Sequence, residues 1–200
     1  MTPFVRTAII VELALVLVAI GIGWPLGIEP WRDLELDLRG MMLGLAATLP
    51  MVVLLLVCDR STSRALARIR GLLDQLLLPP LRGRPWWELA LIAGAAGLGE
   101  ETLFRGVIQS AFRGWLGLGP ALVIASLIFG LLHAITPTYA ILATLIGAYL
   151  GWLFELTGNL LVPIVAHAVY DGIALFYFLR ASPDDTIGPS EPTSMEESPR

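Results

Sequence analysis

Residues 86–112 read WWELALIAGAAGLGEETLFRGVIQSAF. The first half is almost wholly apolar or small, with Glu88 near its start. The second half sets Glu100, Glu101 and Arg105 in the same run. The stretch is long enough to cross a bilayer core, which takes about 20 residues of helix. A charge carried into the middle of such a helix costs several kcal/mol, about 3 by insertion scales, and needs a partner or a purpose. A membrane helix whose charged half faces the inside of a bundle satisfies both constraints.

The rest of the chain repeats the apolar theme. Segments 4–23, 41–58, 120–134, 139–156 and 160–179 join 86–112 to make about six spans, with the fourth short and extending toward Pro137. Of 200 residues, 56% are hydrophobic and 15% charged, against roughly 25% charged in a soluble domain. The mean hydropathy is +0.76. These values place the chain in the multi-pass membrane class. The expected fold class is all-α: a polytopic membrane helix bundle forming a single domain over 1–180.

Charge patterning sets the orientation. Arg60, Arg64, Arg68, Arg70, Arg82 and Arg84 lie between the second and third spans. By the positive-inside rule that loop is cytoplasmic, and six crossings put both termini on the same side. A bacterial inner membrane is the expected location. Within this loop Leu66, Ile69, Leu72, Leu73, Leu76 and Leu77 recur at helical spacing, predicting an amphipathic cytoplasmic helix over 63–78 on the membrane surface. Residues 181–200 are rich in Pro, Ser, Thr and acid, a composition that predicts a disordered acidic tail.

The formal charge of −4 is shaped by that tail, which holds Asp184, Asp185, Glu191, Glu196 and Glu197, while all 13 basic residues are arginine. The balance therefore gives no nucleic-acid-binding surface. The single cysteine, Cys58, excludes an internal disulfide and a cysteine-based zinc site. The first apolar run ends in Gly-Trp-Pro without a small-x-small cleavage site, so it reads as a retained helix.

Polar residues inside the spans carry the chemistry. Glu101 and Arg105 are four apart, share a helix face and read as a structural ion pair. Glu100 is rotated by about 100° from Glu101 and is the carboxylate left for another task. The small residues from Ala93 to Gly99 allow a second backbone to approach. His167 and Asp171 are also four apart. Either both ligate one ion, or Asp171 orients the ring. His133 stands on a separate span, and these two histidines are the only ones in the chain. Two chemistries fit the set. A carboxylate takes a proton from water while histidine positions it or serves the oxyanion. Alternatively, His133, His167, Asp171 and Glu100 hold zinc or another divalent metal that activates the water.

Glu100-Glu101-Thr102-Leu103-Phe104-Arg105, then Phe129 to His133, then His167 to Asp171 resemble the EExxxR, FxxxH and HxxxN/D motifs of the CAAX protease and bacteriocin-processing (CPBP) family. The resemblance covers about 86–179. It implies an intramembrane endopeptidase of metallo- or glutamate type, acting on peptide bonds of membrane-associated, lipidated or CAAX-type substrates. Glu100 would activate the water, His133 would help to place it, and His167 with Asp171 would form the far side of the site. Aspartate at position 171 bears on that role, because an ionised carboxylate cannot donate to an oxyanion as an asparagine amide can. The competing reading is a non-enzymatic binding or immunity protein on the same fold. The implied partners are the lipid bilayer and a peptide or protein substrate.

Overall fold

A computed structural model describes residues 1–181. The expected tail lies outside the described residues, apart from Ala181. Eight α-helices follow in order: α1 Pro3–Leu26, α2 Leu38–Arg60, α3 Arg64–Leu72, α4 Trp86–Glu101, α5 Ser110–Leu116, α6 Leu118–Leu132, α7 Pro137–Thr157 and α8 Leu161–Ala181. No strand occurs among the described residues. The chain is an all-α membrane helix bundle.

The long helices begin where local chemistry predicts. Thr2 accepts from the Val5 amide, Asp37 from that of Gly40 at 2.8 Å, and Thr136 from that of Tyr139 at 3.1 Å. Each cap satisfies one of the amides left orphaned at a helix start. Pro3 and Pro137 occupy first-turn positions, where a missing N–H costs nothing. Helices α1, α2, α7 and α8 are long and apolar enough to cross a membrane, and α6 is a shorter apolar helix.

The third and fourth expected spans differ from a plain helix. After α4 the backbone continues as a π-helix over Thr102–Gln109 before α5 resumes the α pattern. The extra residue per turn re-aims side chains just after Glu101, and such segments are frequent at functional sites. The fourth span stops at Leu132, short of the expected 134. His133 leaves the helical region (φ −96°, ψ 11°) as its cap.

Helix α8 packs against α2, α4 and α7, while α1 packs on α4 and the π segment. Small residues make the approach to α4 close. A Cβ added at Gly97 would lie 2.8 Å from the Ile164 carbonyl oxygen and 2.9 Å from Ala168 of α8. At Gly99 it would collide with the backbone carbonyl of Glu12 on α1. Asn159, 6% exposed, binds the 27–37 loop to the α7–α8 turn: it donates to the Glu35 carbonyl and accepts from the amides of Glu35 and Leu161.

The amphipathic segment is helical as α3, followed by a π turn over Leu73–Leu77. Its apolar side does not lie free: Leu66, Ile69, Leu73 and Leu77 line the central cavity. Arg70 pins it to the end of α2, reaching the Asp59 carbonyl and, at 3.2 Å, that of Ser61.

Candidate active site

A cavity of about 430 Å³ opens between α1, α2, α3, α4, α6, α7 and α8. Most of its wall is apolar. Glu100, His133, His167 and Asp171 all face it. The fold therefore brings together, from three separate helices, the four residues that the sequence singled out.

Glu100 sits in the last turn of α4, 8% exposed. One of its oxygens, Oε2, is buried with no hydrogen-bond partner and lies 3.5 Å from Nε2 of His133. The His133 ring stacks on Phe129, four residues earlier, with centroids 4.3 Å apart. Its Nδ1 donates to the Phe129 carbonyl at 2.8 Å. Because a carbonyl only accepts, this bond fixes the proton on Nδ1 and turns Nε2 toward Glu100.

Glu101 is fully buried, and the expected ion pair is present: Arg105 Nη1 donates to Glu101 Oε1 at 2.9 Å. The other guanidinium nitrogen donates to the Gly147 carbonyl of α7 at 2.6 Å. The guanidinium also lies 4.9 Å from the centre of the Phe129 ring, a cation–π contact. The same carboxylate oxygen takes a second donor, Nδ1 of His167, at 2.8 Å. Glu101 thus orients the His167 ring as well as neutralising Arg105. Of the two acids beside this ring, Glu101 is the closer: Asp171 Oδ2 stands 3.5 Å from Nε2. Sequence reasoning missed this contact, since nothing local links positions 66 residues apart.

A bound metal requires several donors on one point. Among the described residues no group of three or more His, Cys, Asp or Glu side chains could hold an ion. The four polar heads face the cavity as two pairs, Glu100 with His133 and Asp171 with His167. The residues as arranged do not fit a metal centre.

Two lining acids were not singled out from the sequence, Asp59 near the end of α2, which pairs with Arg70, and Glu12. Glu12 of α1 faces the same cavity. The signal was present, since Glu12 is the only acid in the first apolar run.

Residues 82–173 match the family described as type II CAAX prenyl endopeptidase Rce1-like. This core is similar to the CAAX protease family. The match contains all three motifs and excludes α1, α2 and α3. The chain is also 40% identical over 77 residues to YpbD, an uncharacterised protein of Bacillus subtilis. That alignment takes in 37% of this chain, and the chain spans about a third of the length of this relative (36%). No solved structure matches the chain. The family-like core thus supplies every side chain of the two polar pairs, while α1, α2 and α3, outside it, complete the cavity wall.

Proposed function

We propose that the protein is an intramembrane endopeptidase in which Glu100 activates the hydrolytic water. The observation that carries this reading is the unpartnered Oε2 of Glu100, buried beside Nε2 of His133 in a cavity within the bundle. With Nδ1 committed to the Phe129 carbonyl, Nε2 of the neutral His133 ring is an acceptor. A water that donates one hydrogen to Nε2 and the other to Glu100 satisfies both groups.

Glu100 takes the proton as the water oxygen bonds to the scissile carbonyl carbon. His167, its Nδ1–H held by Glu101, presents Nε2 to the cavity; protonated there, it donates to the developing oxyanion. Asp171 steadies that nitrogen rather than donating itself. The proton held by Glu100 then passes to the leaving amine as the C–N bond breaks.

The mostly apolar wall supports a substrate segment that sits in or at the membrane. CAAX-type, prenylated peptides are the proposed class, following the family description. The proposed setting is a bacterial inner membrane with both termini cytoplasmic, from the arginine-rich loop.

The test is cleavage of a prenylated CAAX peptide by the purified protein in nanodiscs. Glu100→Gln should lower kcat/KM by about 10²–10⁴, the usual worth of a general base, with unfolding temperature unchanged. Wild-type activity in that variant refutes the assignment. Dialysis against a chelator should leave activity intact; a loss restored by zinc would replace the metal-free route.

A further inference from the structure

The inward face of α1 reads Val5, Ala8, Glu12, Leu15 and Ala19, at helical spacing. Val5 and Ala19 are fully buried. Glu12 is the one acid on this face and lies near the middle of a long apolar helix. An intramembrane carboxylate calls for a partner.

The other charged groups lining the cavity have partners. Arg70 lies 3.4 Å from Asp59, His133 3.5 Å from Glu100, and His167 3.5 Å from Asp171. Among the described residues, no arginine or histidine forms a salt bridge with Glu12. Its backbone carbonyl occupies the space a side chain at Gly99 would fill, which docks α1 beside Glu100. Glu12 thus lines the same cavity as Glu100, Asp171, His133 and His167. Oε2 of Glu100, buried without a hydrogen bond, places the proposed reacting water at this same end of the cavity.

We infer that Glu12 is a specificity-determining residue, binding a basic side chain of the substrate, lysine or arginine, beside the scissile bond. The inference rests on the peptidase reading of the same cavity. A cationic residue entering the cavity supplies the counter-charge that the protein withholds, and an apolar wall strengthens that attraction by excluding water. A neutral residue leaves Glu12 without a partner. The preference comes from outside the family-like core, since α1 lies before residue 82.

The probes are two short apolar labelled peptides that differ only in a central lysine or norleucine. Binding is measured by fluorescence anisotropy on the Glu100→Gln protein in nanodiscs, so that no cleavage intervenes. The lysine peptide should bind about tenfold more tightly, as a charge-assisted hydrogen bond provides. Adding Glu12→Gln should bring the two affinities within about twofold, adding Glu12→Asp should keep part of the preference, and adding Glu12→Arg should favour a glutamate peptide instead. Glu12→Leu serves as the neutral variant if the glutamine protein fails to fold. Equal affinities with Glu12 present, no binding by either peptide, or an unchanged ratio without Glu12 overturns the inference. Cleavage by the wild-type protein is scored separately. If the wild-type protein cuts neither these peptides nor the prenylated CAAX peptide while the binding preference holds, the peptidase reading falls and Glu12 stands as a cation-binding site.

Discussion

Replacing Glu101 by glutamine should unfold this protein at a markedly lower temperature, and the structure sets the size of the effect. Glu101 is 0% exposed and Arg105 is 1% exposed. One carboxylate oxygen holds Arg105 at 2.9 Å and His167 at 2.8 Å. With glutamine the guanidinium keeps only neutral acceptors, chiefly the Gly147 carbonyl. Stranding a buried charge in this way costs about 3–5 kcal/mol. For a chain of this size, about 2–4 °C accompanies each kcal/mol, so the midpoint should fall by roughly 6–20 °C. Arg105→Met should cost a similar amount, because it leaves the buried carboxylate with the His167 ring as its remaining donor. The double variant removes both charges. It should sit within about 1–2 kcal/mol of wild type, giving a coupling of at least about 4 kcal/mol between the two sites. The assay is the monodisperse fraction on size exclusion after heating in detergent. Single variants within a few degrees of wild type would show that the pair contributes little. Additive losses in the double variant would show that the two residues are not coupled. Activity separates the second role of Glu101. Because His167 loses its charged acceptor, the double variant should regain stability while remaining about tenfold or more below wild type in kcat/KM.

Two glycines on one helix test the close packing of α4. Gly97→Ala should cost about 1–3 kcal/mol by overpacking against Ile164 and Ala168, and should lower activity because His167 neighbours Ala168. Gly94→Ala, with no atom within 4 Å of the added Cβ, should be neutral or stabilising by up to about 1 kcal/mol; equal losses for both would refute the packing argument. Asn159→Ala removes hydrogen bonds to the Glu35 amide and carbonyl and to the Leu161 amide. It should cost about 2–4 kcal/mol and speed hydrogen exchange in residues 28–37, while unchanged exchange there would show the loop to be held by other contacts.

Much of the architecture is legible in one dimension because membrane helices announce themselves through length and apolarity. The third and fourth spans are the instructive exceptions. Residues 102–109 carry no composition that distinguishes a π-helix from an α-helix, since the choice turns on how Arg105 and Gln109 reach the backbone of α7 at Gly147 and Gly151. The early end of α6 likewise depends on His133 turning its ring back to the Phe129 carbonyl. Glu12 illustrates the opposite case. Its oddity within an apolar run was visible, but its relevance depended on knowing that α1 docks on Gly99.

By itself the sequence determined that this is a helical membrane protein, that Glu101 and Arg105 form a pair, and that His167 and Asp171 share a face. Those relations are set within one helix, where spacing along the chain fixes spacing in space. Only the tertiary structure decided that Glu101 serves His167, that His133 meets Glu100, and that Glu12 enters the same cavity. These contacts join residues on different helices. They follow from which small residues let those helices approach and from the hydrogen bonds that fix each ring, information that no single segment contains.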